Sequence, residues 1–73
     1  MDQHNVEDEV YVFIRVYLRQ HGHPPTLREI GAGLHMSYPN VIRYLDRLEG
    51  HGRIARRPGK SRGITVLEPE HDS

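Results

Sequence analysis

Apolar residues recur at helical spacing from Val6 onward, and this stretch is the first of three predicted helices. The spacing of Val6, Val10, Ile14 and Tyr17 places these side chains on one face of a helix that runs to about Gln20. Acidic residues at positions 7–9 and Arg19 near the far end complement the helix dipole. Glycine at 22 and the proline pair at 24–25 end this helix.

A second, shorter helix is predicted by the capping-box pattern at Thr26 and Glu29. In this pattern the hydroxyl and the carboxylate each satisfy a backbone N–H group at the start of the helix. The apolar residues Leu27, Ile30 and Leu34 then face inward. Because the small residues at 31–33 allow close approach, we expect the third helix to cross there.

The third helix has a start signal at Ser37, a proline in its first turn at Pro39 and a stop signal at Gly50. One stripe of this helix is apolar, namely Val41, Leu45 and Leu48. The opposite side carries an amide and two guanidinium groups, those of Asn40, Arg43 and Arg47. Forked donors and acceptors of this kind match base edges in a major groove, although a solvated polar face is the more common explanation of such a helix.

Two short strands, about 53–56 and 64–67, are predicted to pair as an antiparallel hairpin around a Pro58-Gly59 turn. The chain therefore reads as three helices followed by a two- or three-stranded antiparallel unit, a mainly α fold with a small β-hairpin. Residues 6–67 form the one expected domain. We expect a flexible tail at 1–5 and a disordered acidic tail, or the start of a linker, at 68–73.

The formal net charge is zero, yet the charges are strongly segregated along the chain. Residues 43–62 carry seven basic side chains against Asp46 and Glu49, whereas both ends are acidic. Between 53 and 62 there are five cations and no acidic residue. Cations can simply protect a sheet edge from aggregation, but five exceed that need. A polyanionic partner such as nucleic acid is favoured.

Other classes of function find little support in the sequence. Its length of 73 residues leaves little room for an enclosed active site, and the absence of cysteine excludes disulfides and thiolate metal sites. The six histidines are scattered, and the three serines stand in a cap, a turn and a tail. We therefore expect no catalytic residues, metal, cofactor or small-molecule effector. The longest apolar run, residues 11–14, is too short to cross a membrane.

Several motifs in a fixed order resemble the DNA-binding domain of LexA repressors. They are Pro24-Pro25-Thr26-Leu27-Arg28-Glu29-Ile30, Leu45-Asp46-Arg47-Leu48-Glu49, Gly52-Arg53-Ile54 and Ser61-Arg62-Gly63-Ile64. The resemblance spans roughly residues 8–67. It implies a winged helix-turn-helix fold, in which the third helix enters the major groove of an operator and the hairpin wing lies against the DNA backbone.

The resemblance and the charge pattern together predict the contact residues. Base contacts are expected from Tyr38, Asn40, Arg43 and Tyr44. Contacts to the DNA backbone are expected from Thr26, Ser37, Arg47, Arg53, Arg56, Arg57, Lys60, Ser61 and Arg62. One such module would neutralise about 4 to 6 phosphates, so we expect affinity to fall steeply with salt and two copies to occupy a palindromic operator.

The resemblance is incomplete at Arg43 and Tyr44, because enterobacterial members of the family have acidic side chains at these two positions. We therefore expect this chain to prefer a different operator. The self-cleaving and dimerising second domain of LexA repressors has no counterpart in this sequence. We therefore expect either a fragment of a longer repressor or a small stand-alone regulator, encoded by a bacterium, phage or plasmid. It would act in the cytoplasm at the nucleoid, within an SOS-type response.

Two other functions remain open from the sequence. A protein-interaction module of the same fold could bind another regulator or RNA polymerase through the wide apolar face that contains Tyr11, Val12 and Val16. Binding to structured RNA ranks last, because only Tyr38 and Tyr44 are candidates for stacking on bases.

Overall fold

The computed structural model describes residues 5–67 as three helices followed by two strands. The elements are α1 (Val6–His21), α2 (Leu27–Leu34), α3 (Tyr38–Gly50), β1 (Ile54–Arg56) and β2 (Ile64–Val66). The predicted fold class, mainly helical with a small antiparallel hairpin, is confirmed. The predicted tails lie outside the described residues, apart from Asn5, which caps α1.

Local capping signals determine where the helices begin. The Asn5 carboxamide accepts a hydrogen bond from the backbone N–H of Glu7 at 2.9 Å. The predicted capping box is present: the Thr26 hydroxyl accepts from the Glu29 N–H at 3.1 Å, and the Glu29 carboxylate accepts from the Thr26 N–H at 2.8 Å. At the start of α3, the Ser37 hydroxyl accepts from the Asn40 N–H at 3.4 Å. These bonds satisfy backbone donors that have no partner within the helix.

Left-handed residues close α1 and α2, at Gly22 and His35, whereas the C-cap of α3, His51, has a φ of −91°. Gly22 closes α1 with a φ of 80°, which glycine adopts without steric cost. The third helix ends at Gly50, as predicted, although Gly50 is still helical and the left-handed residue is Gly52, with a φ of 75°. The chain can therefore turn sharply from α3 into β1.

In the described residues 5–67, nine buried side chains from all three helices and both strands form one core. They are Val10, Tyr11, Ile14, Ile30, Val41, Leu45, Leu48, Ile54 and Ile64. At Gly31 a Cβ atom would lie 2.9 Å from the Met36 carbonyl oxygen and 3.7 Å from Val41 Cγ2, so the close neighbour is the turn before α3, and α3 itself is in ordinary contact. At Gly33 the neighbour is instead Phe13 of α1, because the two glycines lie on different sides of α2.

The two strands pair antiparallel, with Ile54 opposite Val66 and Arg56 opposite Ile64. Two further backbone hydrogen bonds extend the ladder, from Leu67 N–H to Arg53 O at 2.9 Å and from Arg57 N–H to Gly63 O at 2.8 Å. Within residues 5–67 the sheet has two strands rather than three. Residues 53–67 are called the wing below, and residues 57–61 its tip.

The wing is fastened to α1 through Tyr11. The Tyr11 hydroxyl donates to the Leu67 carbonyl oxygen at 3.1 Å, and the Arg53 guanidinium lies 4.1 Å from the centre of the Tyr11 ring. Tyr11 is only 5% exposed, so its predicted place in an exposed partner surface is wrong. Val12 and Val16 do face solvent. No helix within residues 5–67 is long and apolar enough to span a bilayer.

Candidate nucleic-acid interface

The outer face of α3 near its N-terminus presents three of the four predicted base-contacting side chains. Tyr38 is 56% exposed, and Asn40 and Arg43 are also exposed. Within residues 5–67 the Arg43 guanidinium has no carboxylate partner. An amide and a guanidinium that are both free to form paired hydrogen bonds can discriminate between base edges.

The fourth side chain, that of Tyr44, lies on a different flank of α3. Tyr44 is half-buried and packs against the core. The Arg47 guanidinium lies 5.9 Å from the centre of the Tyr44 ring, and Arg47 Nε lies 3.6 Å from Glu7 Oε1 of α1. Because Tyr44 has less exposed surface than Tyr38, it is a weaker candidate for base contact.

An open groove of about 1150 Å³ separates the wing from the start of α2 and one flank of α3. Its helical side includes Thr26, Leu27, Arg28, Tyr38 and Glu49, and its other side is formed by wing residues 56–61, 63 and 64. The exposed cation Arg28 was missed by the sequence reasoning, which treated it only as part of a motif. The sequence did contain a signal for Arg28. It lies at the start of α2, and the first helix of a helix-turn-helix pair crosses the DNA backbone.

Three of the five wing cations are paired with carboxylates from the helices. Arg53 NH1 donates to Asp8 Oδ1 of α1 at 2.7 Å. Arg56 forms hydrogen bonds with Glu49 of α3 at 2.8 and 3.0 Å and also pairs with Asp46. Arg62 NH1 and NH2 donate to the two carboxylate oxygens of Glu29 of α2 at 2.8 and 2.9 Å. The wing therefore binds one carboxylate site on each helix.

Helix carboxylates therefore neutralise much of the positive charge of the hairpin, although the hairpin segment itself contains no acidic residue between 53 and 62. Only Arg57 and Lys60 have no ion-pair partner within residues 5–67, and both are exposed at the wing tip. Ser61 is exposed beside them and lines the groove. The unpaired positive charge of the wing is therefore concentrated at its tip.

The hydrogen bonds from Arg62 favour the ionised form of its partner Glu29. Hydrogen bonds from Arg62, together with the one from the Thr26 backbone, lower the pKa of Glu29 to about 2. Glu29 is therefore ionised throughout the physiological range. Its carboxylate serves the α2 cap and the wing at the same time.

A second polar cluster joins the ends of α1 and α3 around Glu7, whose residue is only 6% exposed. Glu7 Oε2 lies 2.7 Å from His51 Nδ1 and 3.6 Å from Arg53 NH1. The hydrogen bond with His51 and the nearby arginines lower the pKa of Glu7 despite its burial. This cluster therefore contributes to the packing of the helices and lies apart from the groove-lining residues.

Nothing in the described residues suggests a metal centre. Within residues 5–67 no group of three or more histidine, cysteine, aspartate or glutamate side chains is placed to hold an ion. The rings of His21 and His23 stack with centroids 5.9 Å apart, and Tyr17 lies against His21 at 4.1 Å. These histidines form an aromatic cluster at the end of α1.

Comparison with known proteins identifies the family. The model of the LexA DNA-binding domain matches residues 5–63. A LexA repressor of Geotalea uraniireducens is 48% identical over 59 residues, covering 80% of this chain and 29% of the relative. One of Geobacter metallireducens is 45% identical over 62 residues, covering 84% and 31%. One of Clostridium tetani is 39% identical over 69 residues, covering 93% and 34%.

The chain spans about a third of the length of these relatives, and the share is similar in all three comparisons. The predicted resemblance is confirmed, and the order of three helices and a hairpin agrees with a winged helix-turn-helix. The chain belongs to the LexA DNA-binding domain family of bacterial transcriptional repressors.

Proposed function

We propose that this chain binds double-stranded DNA sequence-specifically and serves as the operator-reading part of a transcriptional repressor. The observation that carries the proposal is the placement of an exposed α3 face beside one open groove, together with a cationic wing tip that has no carboxylate partner in the described part of the chain. Such a surface can hold a DNA strand while α3 lies in the major groove.

In this arrangement Asn40 and Arg43 read base edges. A carboxamide pairs with the N6 and N7 positions of adenine, and a guanidinium pairs with the O6 and N7 positions of guanine. Tyr38 stands at the border between the base-reading face and the groove, so its hydroxyl can reach either a base or a phosphate. Tyr44 is the fourth residue proposed to contact bases, at the edge of the base-reading face of α3.

Phosphate contacts come first from cations that have no carboxylate partner among residues 5–67, namely Arg57 and Lys60 of the wing tip and Arg28 of α2. The hydroxyls of Thr26, Ser37 and Ser61 add hydrogen-bond donors, since a hydroxyl that accepts from a helix N–H group can still donate. The remaining proposed backbone contacts, Arg47, Arg53, Arg56 and Arg62, would have to exchange a carboxylate for a phosphate.

One module of this size gives a small interface, so two copies on paired half-sites would supply the affinity and the length of site that repression requires. A palindromic operator, a homodimer on DNA and a role at the bacterial nucleoid in an SOS-type response complete the proposal. These features belong to the proposed whole regulator, of which the chain represents the reading part.

The test is selection of bound duplexes from a randomised pool, followed by anisotropy titration of the selected and scrambled sequences. Asn40→Ala should weaken the free energy of binding to the selected duplex by about 1–3 kcal/mol, because the base contact is lost. Binding to the scrambled duplex should change little. Lys60→Gln should weaken both sequences alike. Gln20→Ala, an exposed polar change on α1, is the matched control. Equal losses on both duplexes for Asn40→Ala would contradict its assignment as a base reader.

A second candidate is a protein partner, since Val12 and Val16 are 54% and 42% exposed on α1. This surface is smaller than the sequence indicated, because Tyr11 is buried against the wing. The same selection experiment separates the candidates. A wild-type chain that enriches no sequence, and shows no salt-dependent binding, would favour a partner that contacts α1.

A further inference from the structure

Arg62 is the wing cation with the most complete set of protein contacts. Its NH1 group lies 2.8 Å from Glu29 Oε1 and 2.7 Å from the Pro24 carbonyl oxygen, and also 3.2 Å from His23 Nδ1. Its NH2 group donates to Glu29 Oε2 at 2.9 Å. Both terminal nitrogens are therefore engaged by the start of α2 and by the segment before it.

Glu29 is placed to make this connection rigid. Its Oε1 atom also accepts the backbone N–H of Thr26, so the carboxylate is already oriented by the capping box. A guanidinium that meets an oriented carboxylate through two parallel hydrogen bonds has little freedom to rotate. The position of the wing relative to the helices is therefore coupled to the first turn of α2.

We propose that Glu29 and Arg62 are positioning residues, which hold the wing so that Arg57 and Lys60 reach the DNA phosphates. In this assignment Arg62 keeps its carboxylate partner when DNA binds. The inference rests on the proposed DNA-binding function, and it assigns Arg62 a role different from that of a phosphate ligand.

The two roles predict opposite effects for a pair of conservative variants. Glu29→Gln removes the charge but preserves a side chain that can complete the capping box. If Arg62 were a phosphate ligand, this variant would bind DNA more tightly, because it frees a cation and removes a negative charge beside the groove. A positioning role predicts weaker binding, since the wing loses its attachment to α2 while its attachments to α1 and α3 remain.

Arg62→Lys gives the complementary test, because it keeps the charge and loses the two parallel hydrogen bonds. We expect Glu29→Gln and Arg62→Lys each to weaken binding roughly three- to tenfold, and the double variant to be no weaker than either alone. The salt dependence should stay unchanged, because the number of neutralised phosphates is the same. Arg19→Lys, an exposed change on α1, is the matched control.

The second measurement requires no DNA. The backbone ¹⁵N heteronuclear NOE of Arg57 and Lys60 reports how freely the wing tip moves in the 73-residue chain. We expect lower NOE values in Glu29→Gln and Arg62→Lys than in the parent and the control, with unchanged values in the middle of α1. Thermal denaturation monitored by circular dichroism verifies that each variant is folded.

Two results would overturn the inference. The first is a wing tip as rigid in both variants as in the parent. The second is unchanged or tighter DNA binding by Glu29→Gln, or full affinity in Arg62→Lys. If the parent chain binds no DNA, the proposed function fails, and the NOE comparison alone still decides whether this pair holds the wing.

Discussion

The salt dependence of DNA binding should reveal how many cations are free to meet phosphates. Three of the cations proposed to contact phosphates have no carboxylate partner within residues 5–67, namely Arg28, Arg57 and Lys60. If each neutralises one phosphate, the slope of log K against log salt is roughly −2.7 for one module. If Arg47, Arg53, Arg56 and Arg62 also exchanged their carboxylates for phosphates, the slope would be roughly −6.3.

These slopes are easily separated by experiment. Between about 50 and about 200 mM salt, the shallower slope means an affinity loss of about 40-fold and the steeper one a loss of about 6000-fold. The assay is anisotropy titration on a duplex with a single half-site, so that one module binds at a time. Lys60→Gln should make the slope shallower by about 0.9, whereas Arg56→Gln should leave it unchanged.

Arg56→Gln is the informative variant, because Arg56 and Lys60 lie in the same wing and differ in their partners. Arg56 is held by Glu49 and Asp46, and Lys60 has no carboxylate partner within the described residues. An equal reduction of the slope in both variants would refute the reasoning. It would mean that the Arg56 guanidinium leaves these carboxylates for a phosphate when DNA binds.

Four further predictions concern stability and can be checked by denaturant or thermal unfolding. Thr26→Ala should cost about 0.5–2 kcal/mol through loss of the α2 cap, whereas Thr26→Ser should cost little; equal costs would contradict the capping role. Leu45→Ala should lower the free energy of unfolding by about 2–5 kcal/mol, because it leaves a cavity at a fully buried site. A smaller loss would show that the core collapses into that cavity. Gly52→Ala should cost about 1–2 kcal/mol because of the left-handed φ at this position, and a neutral effect would contradict that conformation. Because the pKa of Glu7 is lowered by folding, its contribution is fully present above the usual value of 4.5 and is lost as the pH falls through the lowered pKa. Glu7→Gln should therefore make stability less dependent on pH in that acidic range, and an unchanged pH profile would argue against the pairing with His51.

The sequence predicts the helices well because their signals are local. A capping box needs only Thr26 and Glu29, three positions apart, and the end of α1 needs only Gly22. The hairpin is also predicted within one residue at each strand, since a Pro-Gly turn between short apolar runs determines its centre. Such features depend on neighbouring residues and require no knowledge of the tertiary fold.

The sequence does not predict which cations are free, because their partners are distant along the chain. Arg62 and Glu29 are 33 positions apart, and Arg53 and Asp8 are 45 positions apart. The contacts that bury Tyr11 are equally distant along the chain, since its partners Arg53 and Leu67 come from the wing. Periodicity identifies an apolar face, but only the packed structure shows which part of that face remains exposed.

The attachment of the wing to all three helices also determines when the domain can fold during its synthesis. Two strands of three residues are not stable alone, and here the hairpin supplies Ile54 and Ile64 to a core otherwise built from helices. Because its contacts reach back to α1, including the bond from Tyr11 to Leu67, the helices emerging first from a ribosome cannot complete the native core. Cooperative folding should therefore wait until β2 has emerged, and the hairpin that is proposed to touch DNA would also complete the fold.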